Sequence, residues 1–466
     1  MIDKQTRDAI IALVHREVVP AIGCTEPMCV ALCTARATEK LGRRPSHITV
    51  LLSANILKNA MGVGIPGTGM TGLPIAIALG ALIGKSEYQL EVLKDLTPEA
   101  VEEARRFIDE GRIDIKLKKG ITEKLYVEVI VTSNESANNA ENTHAIHEER
   151  GARAFAVISG SHTTFVPDVR TAGEFAEGHP DSYPSSEEVG QDALESSLSI
   201  NQTTSFCDGI EEKLSMRLVF DFATTAPLDE IRFIEETRIY NMNAAREALK
   251  GNYGHNLGKT IDRPLSKGIF GNSIFCHIIA RTASACDARM GGAMIPVMSN
   301  SGSGNQGICA TNPVCVYAKE NENTEEELIR GLMLSHLTAI YIKQSLGTLS
   351  ALCGCVVASI GSSVAITYLM GGDYDRICAS VKNMIANLTG MICDGAKPSC
   401  SLKITSGVST AVLSALLSME GKCVSSQEGI VDDSVDRSIR NLTAIGANGM
   451  GPTDEMVLRI MTSKGC

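Results

Sequence analysis

The sequence predicts an α+β fold, a helix-rich domain carrying an inserted α/β domain with a mixed sheet. Between about Ser46 and Asp229, β-branched runs alternate with turn signals. Helical patterns at about 71–84 and 97–109 fall between those runs, which places helices against a sheet. Beyond Leu228 long helical patterns take over. The expected division is 1–44 for N-terminal helices packing on the helical domain, 45–228 for the α/β domain and 229–466 for the helical domain.

Residues 4–18 place Ile10, Ile11, Leu13, Val14 and Val18 on one helical face, and Pro20 with Gly23 ends the element. A second helix is expected from about Glu26, with Thr25 as its cap and Pro27 in its first turn. Cys24 then sits just before a helix start, where unpaired N–H groups favour negative charge and acidify a thiol. The runs HITVLLS, RIDIKLK, KLYVEVIVTS, AFAVISGSHTTFV and LSMRLVF are read as strands. Thr171–Glu212 carries ten acids and no Lys or Arg, the pattern of a solvated segment without its own core. Helices follow at LDEIRFIEETRIYNMNAAREALK, SIFCHIIARTASACDAR and TEEELIRGLMLSHLTAIYIKQ, then in apolar blocks around 348–370, 376–392 and 404–419. The N-terminal helices are expected to pack on this helical domain and carry Cys24 into its core.

Composition excludes several classes of function. The formal charge is −11, from 43 Lys+Arg against 54 Asp+Glu, Trp is absent, and no basic patch or stacking platform offers itself to nucleic acid. The N-terminus reads as a charged amphipathic helix without a secretory pattern, so the 15 cysteines are expected to be free thiols in a cytoplasmic setting, most of them core filler. Gln344–Gly372 runs 29 residues without a charge. Its Gly, Ser, Thr and Cys content and its lack of aromatic belts fit a buried helix pair better than a membrane span. Exposed apolar area in such a chain favours a homo-oligomer, a dimer being the expectation.

Three cysteines stand in contexts that carry chemistry: Cys353 in LCGC, and Cys393 and Cys400 in CDGAKPSC. Three thiolates leave one position of a soft metal centre open to a substrate, where four would close it. A CxC with a Cx6C is not the paired spacing of a zinc ribbon, which favours an iron-sulfur cluster over zinc or copper(I). The competing reading, small core residues on tightly packed helices, is the one adopted for Cys355, whose side chain leaves on a different face from Cys353.

Two glycine loops match GxGxxG by letter, at Gly62, Gly64 and Gly67 and at Gly302, Gly304 and Gly307. Neither follows a clean strand into a βαβ unit. What they offer is backbone N–H with short hydroxyls and amides, suited to a small carboxylate. His277 and His336 fit satisfied core histidines, while His144, His147 and His179 lie in polar sequence.

Together GCTEP at 23–27, SANILKNAMGVGIPGTG at 53–69, SNSGSGNQG at 299–307 and CDGAKPSC at 393–400 resemble the L-cysteine desulfidases, relatives of the oxygen-sensitive iron-sulfur L-serine dehydratases (alpha-chain-like). The resemblance implies a [4Fe-4S] cluster on Cys353, Cys393 and Cys400, with Cys24 acting on the substrate. The implied reaction is β-elimination from L-cysteine to sulfide, pyruvate and ammonia, with Cys24 taking the Cα proton. Asn300, Ser301, Ser303 and Asn305 are the candidates for holding the amino-acid substrate, joined by Asn55, Asn59 and Thr68. Lys397 is a rival base, and Cys466 a terminal thiol that could fold back to the cluster. The alternatives are an L-serine dehydratase and an iron-sulfur redox or iron sensor.

Overall fold

The structure, a computed structural model, describes residues 2–121, 123–133, 152–167, 209–211, 214–347 and 350–463. His144, His147, His179, Cys207, Cys466 and nearly all of the acidic stretch lie outside the described residues.

Helix α1 (Lys4–Glu17) opens on Asp3, whose Oδ1 accepts from Thr6 N at 2.9 Å, and it buries Ala9, Ile10, Leu13 and Val14. β1 (Pro20–Ile22) and α2 (Thr25–Leu41) follow, then β2 (His47–Leu52), α3 (Ala54–Ala60), α4 (Leu73–Leu82) and α5 (Pro98–Asp109). β3 (Ile113–Leu117), β4 (Tyr126–Thr132) and β5 (Arg153–Ser159) complete a four-stranded sheet in the order β3-β2-β4-β5. β2 and β3 run parallel and the other two pairings are antiparallel, so the sheet is mixed as expected. Alternation decides its inner face: Ile48, Val50 and Leu52 are buried and pair with Val131, Val129 and Val127.

Here two expectations are corrected. Helix α2 lies on this sheet and not in the helical domain, because Cys29, Cys33 and the small residues around them let it approach the strands closely; Cys33 Sγ reaches Ala156 O at 3.3 Å. LSMRLVF is not a strand. Ser215 caps a helix, α6 (Met216–Thr225), by accepting from Leu218 N at 3.2 Å, and Met216, Val219, Phe222 and Ala223 give it a buried face with helical period. A short apolar run does not distinguish strand from helix, and here the cap and the 3.6-residue period win. The helical body therefore begins before residue 229.

That body contains α7 (Glu236–Lys250), α8 (Ile274–Met290), β6 (Pro296–Met298), α9 (Gly304–Glu320), α10 (Glu325–Leu346), α11 (Gly354–Leu369), α12 (Tyr374–Leu388), α13 (Cys400–Met419), α14 (Val435–Ala444) and α15 (Gly451–Ser463). Helix α11, at the centre of the uncharged stretch, is buried on nearly every side. Close approach explains its small residues: a Cβ on Gly361 would run into the Ser335 carbonyl oxygen of α10. Among the described residues α13 alone is long and apolar enough to cross a membrane, and 56% of its apolar window is buried in the helical core.

A two-stranded antiparallel ribbon joins the chain's two ends of the site. β1 pairs with β6, Pro20 opposite Met298 and Ile22 opposite Pro296. Ser299 N donates to Val19 O at 2.8 Å and Ser301 N to Glu17 O at 2.9 Å. Sequence reading found no strand at MGGAMIPVMSN, because three residues carry too little pattern.

Candidate active site

Cys24 is the N-cap residue of α2, displacing Thr25 from that role, and makes no side-chain cap hydrogen bond. Gly23, with φ +70°, turns the chain there under Pro66; a Cβ on it would sit 2.6 Å from Pro66 Cγ. The expected acidification of Cys24 is overturned. Burial pushes its thiol up to about 12, and the nearby Arg289 guanidinium opposes this only in part. Desolvation of the thiolate outweighs the helix N-terminus here.

Cys353 and Cys393 are set by a single antiparallel bridge between Leu352 and Ile392. Cys353 N donates to Met391 O at 3.0 Å and Cys393 N to Ala351 O at 2.6 Å. Residues flanking such a bridge point away from Leu352 and Ile392, so both thiols leave on one side as diagonal neighbours, about 7–8 Å apart at the backbone. The chain reaches this bridge because α12 ends at Leu388, four residues short of the expected helical block. Cys400 begins α13, its Sγ directed to Gly395 O at 3.7 Å.

The loop between Cys393 and Cys400 rests on the first glycine motif. Gly395, with φ +91°, faces the Lys58 carbonyl oxygen so closely that a Cβ would collide with it, and Gly62 lies under Lys397 Cβ. Gly64 N donates to Met290 O at 3.1 Å and Gly67 N to Gly292 O at 3.2 Å. Thus GCTEP, the first glycine loop, CDGAKPSC and the end of α8 meet at one place.

Electrostatics tie the thiols together. Cys353 is raised well above its ordinary value by its hydrogen bond with Cys355 and by burial. Cys393 is raised by burial and by Cys353, and Cys400 is pushed up to about 11 by burial and then by both of the others. Cys24 and Cys286 also feel Cys400. Cys355, read from sequence as core filler, is buried but touches Cys353 and Cys309. Cations face the group: Lys403 donates to Ile392 O at 2.9 Å and pairs with Asp394, while Lys58 and Lys403 both act on Cys393. Burial pulls Lys343 down to about 8 against the pull of Cys393 and Cys353.

Among the described residues no three His, Cys, Asp or Glu side chains converge tightly enough to hold one metal ion. Cys353, Cys393 and Cys400 are soft donors of the kind an iron-sulfur cluster would take. The three thiols act on one another electrostatically and stand in reach of lysines that would offset an anionic cluster.

The other candidates divide. Asn300 is fully buried and its amide donates to His336 Nδ1 and His336 O, both at 3.1 Å; Ser301 Oγ donates to Asn300 Oδ1 at 2.9 Å. Ser303 caps α9, its Oγ accepting from Gln306 N at 3.4 Å. Asn305 accepts from Arg289 Nη1 at 3.1 Å and is thereby brought to Cys24. In α3, Asn55 and Asn59 are buried beside the Cys393–Cys400 loop, with Asn55 donating to Asp454 at 3.4 Å. Thr68 spends its hydroxyl on its own turn, donating to Ile65 O at 2.8 Å and accepting from Met70 N at 3.0 Å. Lys397 pairs with Asp394 Oδ2 at 3.0 Å. His277, expected in the core, is half-buried and bonded to Glu320 at 2.7 Å; His336 is the satisfied core histidine expected.

Sequence reading missed Arg289 and Cys286. Both lie on α8, three residues apart and so on one helix face, a spacing that was visible before GGAMIP but carried no motif.

The chain belongs to a family of dehydratase-like lyases. The family model for the serine dehydratase alpha chain matches residues 87–459, and the chain belongs to that family, which is typically iron-sulfur dependent. It is 61% identical over 470 residues to a UPF0597 protein of Phocaeicola vulgatus, covering all of both chains. A UPF0597 protein of Bacteroides fragilis is 61% identical over 465 residues and one of Photobacterium profundum 42% over 459, each covering at least 98% of both chains.

Proposed function

We propose that the protein is an iron-sulfur-dependent lyase that eliminates sulfide from L-cysteine, leaving pyruvate and ammonia after hydrolysis of the enamine. The observation that supports this reading is that Cys24 lies within electrostatic reach of Cys400, which in turn acts on Cys353 and Cys393, beside the first glycine loop. Cys353, Cys393 and Cys400 would hold a [4Fe-4S] cluster whose open iron would act as a Lewis acid on the leaving group.

Cys24 is the candidate base for the Cα proton. Its buried thiol keeps a proton at neutral pH, so it acts only once deprotonated, and Arg289 is the adjacent cation that stabilises the thiolate. Lys397 is a weaker candidate, since Asp394 engages its ammonium. Asn305, Ser301 and Ser303 would hold the amine and carboxylate from the neighbouring loop by exchanging their present internal hydrogen bonds, while Asn300 holds that loop's shape through His336. Asn55 and Asn59 would act from α3 beside the Cys393–Cys400 loop, and Thr68 through its turn.

The family match favours a second reading, L-serine dehydration by the same elimination with hydroxide leaving. The test is anaerobic protein assayed for iron, acid-labile sulfide, sulfide release from L-cysteine and pyruvate from L-serine. Cys24→Ser should keep its iron and lose turnover by about 100-fold or more, and Lys397→Ala should keep most of both. Full activity after complete removal of iron would sink the proposal.

A further inference from the structure

Arg289 is a buried cation, 4% exposed, that no carboxylate pairs among the described residues. Its Nη1 donates to Asn305 Oδ1 at 3.1 Å, yet its Nε is buried without a hydrogen-bond partner, and among the described residues no carboxylate lies within ion-pair distance of it. Asn305 is itself fixed, because its Oδ1 also meets Cys286 Sγ at 3.6 Å while its Nδ2 faces Met290 Sδ at 3.5 Å. A guanidinium removed from water costs several kcal/mol unless an anion pairs with it. The side chain passes over Gly304, where a Cβ would collide with Nε and lie 2.8 Å from Cζ. Only a residue without a Cβ lets the guanidinium lie where it does, with its Nε–H unpaired, and Cys24 stands next to the same guanidinium.

We propose that Arg289 is the carboxylate anchor of this site, its planar fork receiving the α-carboxylate of a small amino acid so that the Cα–H lies beside Cys24. The proposal rests on the amino-acid lyase reading for its substrate class. Its chemistry is that of guanidinium and carboxylate: two parallel charge-assisted hydrogen bonds, fixed in direction by a planar donor. Asn305 sets the rotation of that plane, and Gly304 lets the side chain pass close by. No bond is made or broken at Arg289, so it is a binding and positioning residue.

The experiment measures binding, not turnover. Anaerobic iron-loaded protein is titrated calorimetrically with L-serine and with L-serinamide, which lacks the carboxylate charge. Wild-type protein is expected to prefer L-serine by roughly ten- to 100-fold, the worth of a charge-assisted pair. Arg289→Met should lose that preference while binding the amide unchanged, and Arg289→Lys should retain part of it. Gly304→Ala keeps every charge but collides with Nε and displaces the guanidinium, so it too should lose the preference; it decides the matter if Arg289→Met fails to fold. An unchanged preference in Arg289→Met and Gly304→Ala overturns the proposal, as does a wild-type protein indifferent to the carboxylate. So does an Arg289→Met protein whose only defect is slower alkylation of Cys24, since Arg289 would then serve the thiol alone. Carboxylate preference lost in Arg289→Met, in a protein that never forms sulfide or pyruvate, sustains the anchor and sinks the lyase. Turnover equal in wild type and Arg289→Met does the reverse.

Discussion

Cys353 and Cys393 are held on one side of a single antiparallel bridge, Cys353 N bonded to Met391 O at 3.0 Å and Cys393 N to Ala351 O at 2.6 Å. Two thiols far apart in sequence are thus positioned by backbone hydrogen bonds, which side-chain substitution does not remove. The third, Cys400, depends on the loop that crosses α3.

Removal of any one thiol of the set is expected to cost the bound iron. Cys353→Ser, Cys393→Ser and Cys400→Ser should each bind less iron and acid-labile sulfide per chain than wild type under anaerobic conditions. Cys378→Ser is the control, since Cys378 sits in α12 beside Tyr374. Equal iron in all four proteins would remove the thiol set from consideration.

Gly395 is the residue on which the loop's seat depends. Its φ of +91° strains any side chain, and a Cβ would meet the Lys58 carbonyl oxygen. Gly395→Ala should lower stability by about 1–3 kcal/mol and reduce iron content, read from denaturant midpoints and iron assays. Gly390→Ala, with open space around its Cβ position, should do neither to a comparable degree.

Lys58 is 2% exposed and pairs with Asp454, which is 23% exposed, tying α15 to α3. Loss of the acid strands a buried ammonium, so Asp454→Ala should destabilise by roughly 2 kcal/mol, less than for a fully buried pair because solvent reaches the carboxylate. Lys58→Met should cost less than Asp454→Ala, as it leaves no buried charge behind. Chemical denaturation of the two variants compares them directly.

His336 links acid to unfolding. Its Nδ1 accepts from Asn300, leaving its Nε2–H to donate to Thr311 Oγ1 at 3.0 Å, and burial pulls its pKa from 6.5 down to about 3. Above pH 6.5 the ring is neutral folded or unfolded and contributes no slope. As pH falls from 6.5 towards 3, only the unfolded chain takes the proton, so stability drops by up to about 1.4 kcal/mol per pH unit. His336→Gln should flatten that part of the acid unfolding curve, at the cost of about 1–3 kcal/mol at pH 7. An identical acid slope in the variant would show that other groups carry it.

Much of the architecture was readable in advance. Strand alternation in HITVLLS and KLYVEVIVTS, and the helical pattern of TEEELIRGLMLSHLTAIYIKQ, are local signals that survived into β2, β4 and α10. LSMRLVF failed because seven residues satisfy both periods until a cap decides. In the site, the cysteines announced themselves by spacing, whereas Arg289 looked like any charged residue at a helix end. Its burial comes from Gly304 and Asn305 of another helix, which no window around 289 contains.

By itself the sequence determined the residue types, the turns that glycine and proline impose at 393–400, and the amphipathic order of strands and helices, since these depend on neighbours within a few residues. Only the tertiary structure decided which groups meet. The Leu352–Ile392 bridge, the seat of Gly395 on Lys58 and the raised pKa of Cys24 arise from contacts across long separations. Desolvation and close packing act on whatever the fold brings together, so a thiol placed for acidification by its helix start became, once buried, a group that holds its proton.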